Sequence, residues 1–187
     1  RRRREELLEA LREADAVLAG AEPYDAAVLT ALPRLKCISR CGVGTDSIDL
    51  EAVRRLGIAL YTTPEEVVEP VAQMTIAMIL ALARNLPLHL GECRTGRWKK
   101  HTGFLLSEWT IGLVGFGRIG RMVEQYLRTF RPRVLVADTH LGPADVPATV
   151  ELRDLPSLLS DADLVSLHAS RSQDAGALIG RQELAAM

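Results

Sequence analysis

The chain has 187 residues, a formal net charge of −1 and 48% hydrophobic residues, enough apolar material for one large core or two small ones. Its 25% share of charged residues is ordinary for a water-exposed surface, and the near-neutral balance gives no general attraction to nucleic acid or anionic membrane. The longest apolar stretch, Val71 to Ala83, contains Gln73 and Thr75 and falls short of the ~20 residues a membrane span needs.

Three cysteines, Cys37, Cys41 and Cys93, are an odd number, and no Cys/His grouping has zinc spacing, so no metal site is expected. Reduced thiols in a cytoplasmic protein are the simplest account. Arg1 to Arg4 are followed at once by acids and read as the exposed start of a helix. Charge through the first two turns is not the pattern of a signal peptide.

In chain order, Arg1 to Ala14 reads as an amphipathic helix with Leu7, Leu8 and Leu11 on one face. Ala16 to Ala19 reads as a short buried strand, Tyr24 to Leu32 as a helix closed by Pro33, and Leu35 to Ser39 as a second strand running into Arg40-Cys41-Gly42-Val43-Gly44. Asp46, Ser47 and Asp49 offer N-caps for a helix through Arg55, with Gly57 as its C-cap, and Ile58 to Tyr61 is the next strand. This alternation indicates a parallel sheet covered on both faces.

A longer helix follows Pro64, with Pro70 in or near its first turn and Pro87 marking its end. Its run from Val71 to Ala83 is apolar nearly all round, which suits a helix buried between two domains or two subunits. Leu88 to Trp109 reads as a polar connector carrying one or two short helical pieces, with Trp98 as an anchor or a dimer contact. Later elements are a Pro- and Gly-rich loop from Leu141 to Val150, a helix from Leu155 to Leu159, a strand from Asp163 to Leu167 ending at His168, and a helical stretch from Ala177 to Met187.

The stretch with most chemistry lies between connector and loop. Thr110 to Val114 is an apolar strand, Gly115-Phe116-Gly117-Arg118-Ile119-Gly120 a glycine turn, and Ile119 to Phe130 an amphipathic helix. Val134 to Ala137 is a second strand ending at Asp138. This order is that of a dinucleotide site. Gly115 turns the chain tightly, Gly117 lets backbone approach a pyrophosphate, and Gly120 lets the helix lie close on the sheet. The helix N-terminus offers N–H groups and a partial positive charge to phosphate. Asp138 is placed to accept bonds from the adenosine ribose hydroxyls, and its charge repels a 2′-phosphate, so NAD is expected rather than NADP. The competing reading is a plain strand–turn–helix.

Four stretches together resemble the D-isomer-specific 2-hydroxyacid dehydrogenases, and among them the phosphoglycerate dehydrogenases. Leu35 to Leu50 is similar to the family's substrate loop and following helix. Thr63-Pro64 through Gln73 and Leu80 to Arg84 resemble its interdomain helix. Gly96-Arg97-Trp98 with Gly112 to Gly120 resembles its cofactor-domain entry, and Asp163 to His168 its later cofactor strand. The resemblance implies an α/β fold of two doubly wound parallel-sheet domains, Rossmann-like and flavodoxin-like, both truncated here. Residues 1–73 would be the N-terminal part of the substrate domain, and 74–187 an incomplete NAD-binding domain entered through the helix and connector at 74–109. Gly42, Val43 and Gly44 would bind the substrate carboxylate through backbone amides, with Val43 also approaching the nicotinamide, as glycines forming an anion nest can. The cofactor would be held by Gly115 to Gly120, including Phe116, Arg118 and Ile119, by Asp138, and by His168, Ala169, Ser170 and Ser172.

Departures from the family pattern are Gln73 where Glu is usual, Ser47 where Asn is usual, and Ser170-Arg171-Ser172 in place of Pro-Leu-Thr. The family also begins with a strand before the first helix and continues, beyond the position of Met187, into a segment bearing catalytic Arg, Glu and His. No catalytic residue is therefore expected in these residues. His168 has no evident carboxylate partner and suits a structural or cofactor-wall role better than catalysis; His89, His101 and His140 read as surface residues, and Cys41 as a small buried residue. The implied function is NAD-dependent oxidation at the CH–OH of a small D-2-hydroxy acid of the 3-phosphoglycerate or glyoxylate/hydroxypyruvate type. The alternative is a non-catalytic NAD-binding dimerisation module like the corepressors that resemble the family. Either reading expects a homodimer through the helix from Val71 to Leu82, and unpaired sheet edges with exposed apolar surface.

Overall fold

The computed structural model describes residues 4–169 and 177–187. The chain is α/β and divides into two compact units, Arg1–Val67 and Val68–Met187, each with its own parallel sheet.

In the first unit α1 (Arg4–Leu11), β1 (Ala16–Ala19), α2 (Ala26–Thr30), β2 (Cys37–Arg40), α3 (Leu50–Leu56) and β3 (Ala59–Thr62) alternate, and the sheet order is β1-β2-β3. Ala16 pairs with Cys37, and Cys37 with Ala59. Leu7, Tyr24, Val28, Leu29, Ile38, Ile48 and Ala52 form its core. α2 is shorter than its apolar pattern suggests. Tyr24 leaves the helix to make a parallel bridge with Ile48, its N–H donating to Ser47 O at 2.7 Å, and Asp25 becomes the N-cap. Of the three N-cap candidates before α3, Asp49 serves, its Oδ1 accepting from Ala52 N at 2.8 Å; Gly57 closes the helix at φ 68°. β1 departs from the buried strand expected of it. It lies at the sheet edge, and Leu18 is 85% exposed.

The second unit contains α4 (Val68–Ala83), α5 (Leu86–Arg94), a 3-10 turn (Leu106–Glu108), β4 (Thr110–Val114), α6 (Arg118–Leu127), β5 (Arg133–Ala137), β6 (Glu151–Leu152), α7 (Leu155–Asp161), β7 (Leu164–Leu167) and α8 (Arg181–Ala185). The sheet order is β6-β5-β4-β7, all parallel. Alternate residues of β4 and β5 serve opposite faces. Ile111, Leu113, Val134 and Val136 pack with Val123 and Leu127 of α6 and Ala72 and Ile79 of α4, while Val114, Leu135 and Ala137 pack with Leu158 and Leu159 of α7.

Pro87 does not end α4. The helix stops at Ala83, Asn85 takes a left-handed φ of 51°, and Pro87 sits in the first turn of α5, where its missing N–H is harmless. α4 buries Val68, Ala72, Thr75, Ile79 and Ala83, yet Val71, Met74, Met78 and Leu82 are exposed. Trp98 is 90% exposed and anchors nothing among the described residues. No single described helix is long and apolar enough to cross a membrane; α4 and α5 pass such a test only together and are bent by 69°.

Candidate functional site

The sheet order of the second unit locates the site. From β4 the chain steps outward through β5 to β6, then returns to lay β7 on the other side of β4. A crevice opens at the carboxyl ends of strands where the winding reverses, and such crevices take ligands in open α/β sheets. The glycine turn leaves β4 there, and His168 follows β7 beside it, its N–H donating to Val114 O at 2.7 Å.

Each motif glycine can be asked what a side chain would meet. Gly115 has φ 89°, and a Cβ on it would lie 2.4 Å from Ala169 N. On Gly120 a Cβ would lie 2.4 Å from Gly115 O. Backbone conformation and packing therefore require these two. Gly117 is different. Its φ of −72° is open to any residue, it is exposed, and a Cβ on it would meet nothing within 4 Å. The described residues give no reason for a glycine here, whereas a ligand backbone-close to the turn does. Gly117 is also the N-cap of α6 and supplies no side-chain cap, so among the described residues no carboxylate or hydroxyl caps the helix N-terminus at the crevice. Arg118 is exposed, and Ile119 packs against the core below.

Asp138 does more than its spacing suggests. Its Oδ2 accepts from Phe116 N at 2.8 Å and its Oδ1 from His140 N at 2.9 Å, while Gly115 N donates to Ala137 O at 2.8 Å. The carboxylate thus ties the glycine turn to the end of β5. The Phe116 amide, then the His140 amide, hold its carboxyl below the ordinary aspartate value, so it carries a full charge at neutral pH. Phe116 points its ring into the core, with the Arg121 guanidinium 4.8 Å from the ring centroid. Its amide is already taken by Asp138.

His168 is half-buried, and burial lowers its pKa, which keeps the ring neutral near pH 7. Its Nε2 lies 2.9 Å from Ser166 Oγ. Ser166 had no place among the sequence-derived candidates; its signal is the period-2 alternation that puts residues 166 and 168 on one face of β7. Ala169 is exposed, and Ser170 and Ser172 lie outside the described residues.

In the first unit the loop after β2 crosses the carboxyl ends of the strands. Cys41 N donates to Ala19 O at 3.0 Å, Gly42 N to Thr63 Oγ1 at 2.8 Å, and Thr63 N to Gly42 O at 3.2 Å. Arg40 reaches back to the carbonyl oxygens of Cys41 and Gly44. Gly42 has φ 136° and is buried, so its amide serves the fold. Among the described residues no group accepts from the amides of Val43 or Gly44, which leaves two adjacent donors at the loop tip. Cys41 is exposed, contrary to the buried residue expected, because the loop lifts it off the end of β2. The surface reading of His101 also fails. The side chain is 19% exposed and packs edge-on against His89.

A separate cleft of about 540 Å³ lies between α6 and residues 144–147. Its buried carboxylate, Glu124, accepts from Arg128 and Thr149, and Arg121 donates to the backbone carbonyl of Asp145, so these polar groups already have partners within the protein. No group of three metal-ligating side chains occurs among the described residues.

The family model described as "D-isomer specific 2-hydroxyacid dehydrogenase, NAD binding domain" matches residues 76–187. The chain belongs to the D-isomer specific 2-hydroxyacid dehydrogenase family. It is 35% identical over 186 residues to the D-3-phosphoglycerate dehydrogenase of Mycobacterium tuberculosis, a match covering 97% of this chain and 35% of that one. A glyoxylate reductase of Thermofilum pendens is 36% identical over 98% of this chain and 57% of its own length. Among solved structures, the TT0316 protein of Thermus thermophilus superposes with a TM-score of 0.89 at 34% identity, covering all of this chain and 61% of that one. A D-lactate dehydrogenase from Aquifex aeolicus, solved with NAD and lactic acid, gives 0.82 at 28% identity, covering 96% and 55%. The chain thus spans about a third of the length of the phosphoglycerate dehydrogenases it matches.

Proposed function

We propose that these residues are the dinucleotide-holding and carboxylate-holding parts of an NAD-dependent D-2-hydroxyacid dehydrogenase. The carrying observation is Gly117, a glycine that no contact among the described residues demands, at the switch point of a parallel sheet. The first-turn backbone of α6 would receive the pyrophosphate and Asp138 the adenosine ribose, with His168 and Ala169 along the other wall; Ser170 and Ser172 complete the proposed cofactor-binding set. NAD supplies a hydride acceptor when bound. Asp138 stays charged at neutral pH, which favours the free ribose hydroxyls of NAD over the 2′-phosphate of NADP.

The amides of Val43 and Gly44, next to Gly42, are the proposed seat of a substrate carboxylate. The substrate is a small D-2-hydroxy acid of the 3-phosphoglycerate or glyoxylate/hydroxypyruvate type, in line with the names of the relatives. We assign substrate binding to residues up to 73 and cofactor binding to 74–187, with no catalytic residue among them. The exposed apolar stripe of α4 supports a homodimer. Calorimetric titration of the chain with NAD and with NADP tests the reading: NAD is expected to bind at least about tenfold tighter, the cost of placing like charges together. Equal affinity, or no binding, sinks it. Assayed in the full-length protein that carries it, NADH should be consumed with hydroxypyruvate, glyoxylate or phosphohydroxypyruvate.

A further inference from the structure

Ser166 and His168 stand two residues apart on β7, on the face that also carries Leu164 into the core beside α6. The hydroxyl and Nε2 are 2.9 Å apart, a full-strength hydrogen bond. The backbone at this point is fixed from both sides. His168 N donates to Val114 O, and Gly115 packs so closely on the peptide between His168 and Ala169 that a Cβ there would lie 2.7 Å from His168 C. The backbone of His168 therefore lies directly beside the glycine turn and is held in place, and among the described residues Ser166 is the hydrogen-bonding partner of its ring.

We propose that Ser166 is a positioning residue for the dinucleotide crevice, its hydroxyl donating to His168 Nε2 and fixing the ring as the neutral Nδ1–H tautomer. A neutral imidazole has one N–H and one lone pair. When the serine proton fills the lone pair at Nε2, the ring's own proton lies on Nδ1 and the imidazole is a donor. With the opposite tautomer it would present a lone pair, which an anionic ligand rejects. Burial keeps the ring neutral, and among the described residues Ser166 is the side chain bonded to it. The proposal rests on the reading of this crevice as a dinucleotide site.

The test uses the whole 187-residue chain and two readouts. Long-range proton–nitrogen NMR reports the His168 tautomer, with His168→Gln identifying its signals. Calorimetry reports the NAD dissociation constant. In the wild type the His168 Nδ1 should be protonated and Nε2 an acceptor. Ser166→Ala should give a mixed tautomer and weaken NAD binding about 2- to 10-fold, the range of one neutral hydrogen bond. Ser166→Thr keeps the hydroxyl on a residue that strands favour, and it should restore both readouts. An Nε2-protonated ring in the wild type, or a Ser166→Ala chain that binds NAD like the wild type, overturns the proposal while leaving the dinucleotide reading intact. A wild type that binds no NAD overturns both, and the tautomer shift alone would then mark the pair as purely structural.

Discussion

Gly117 and Gly120 are three residues apart and have opposite reasons for being glycine, which makes them separable by experiment. Gly120→Ala places a methyl 2.4 Å from a carbonyl oxygen, so α6 must move off the turn; a loss of about 1–3 kcal/mol in urea unfolding is expected. Gly117→Ala meets no atom and changes only an N-cap, so about 1 kcal/mol or less is expected, together with an NAD dissociation constant raised at least about tenfold. If Gly117→Ala binds NAD like the wild type, the close approach at Gly117 is wrong. Asp138 adds a pH dependence. Its folded pKa is depressed, so its contribution to stability is present above the ordinary aspartate value near 4 and is lost as pH falls through the lower folded value. Asp138→Asn should therefore be less stable than the wild type at pH 7, and the gap in urea midpoint should narrow below about pH 4. A gap independent of pH would contradict this. At this scale the glycines and the acid were legible because their spacing follows from covalent geometry. The bonds from the Phe116 amide to Asp138 and from Ser166 to His168 were not. The first joins the ends of two strands, and the second needs a rotamer, and neither is set by spacing alone.

Elements were legible where a hydrophobic period and a cap agreed. α3 is one such case, with Asp49 before it and Gly57 after. Its cap is testable: Asp49→Ala removes the acceptor for Ala52 N and should cost about 1 kcal/mol with an unchanged denaturant slope. An unchanged midpoint would show that Asp46 or Ser47 takes over. Where local signals conflicted, tertiary contacts decided. Tyr24 has the apolar spacing of α2 but is drawn into a bridge with Ile48. Pro87 reads equally as a stop or a start, and the left-handed turn at Asn85 makes it a start. β6 is two residues long, below any periodic signal, and exists because Leu135 and Val136 pair with Glu151 and Leu152. The apolar residues of β1 suggest a buried strand, but burial of a strand depends on its neighbours in the sheet, which its own sequence does not name.

For the whole molecule, the two-sheet α/β organisation follows from the alternation of strands and helices, whereas the placement of β7 against β4 rather than β6 does not. That placement forms the crevice, so the most functional part of the topology was the least legible in the residues. α4 poses the remaining question at this scale. Val71, Met74, Met78 and Leu82 recur at helical spacing and form a stripe alongside the one that α4 buries with Ala72, Thr75, Ile79 and Ala83. An exposed row of four large apolar side chains is unfavourable in water, at about 25 cal/mol for each Å² left uncovered, and a second copy of the helix offers an equal stripe to cover it. The chain should therefore sediment as a dimer, and the double variant Met74→Glu, Met78→Glu should sediment as a monomer with unchanged helical circular dichroism, since both side chains already face solvent within one chain. Monomeric wild type at the concentrations used for calorimetry would contradict association through α4. A dimer that survives the double variant would place the contact elsewhere, with Trp98, Phe104 and Leu105 the next exposed apolar group to replace.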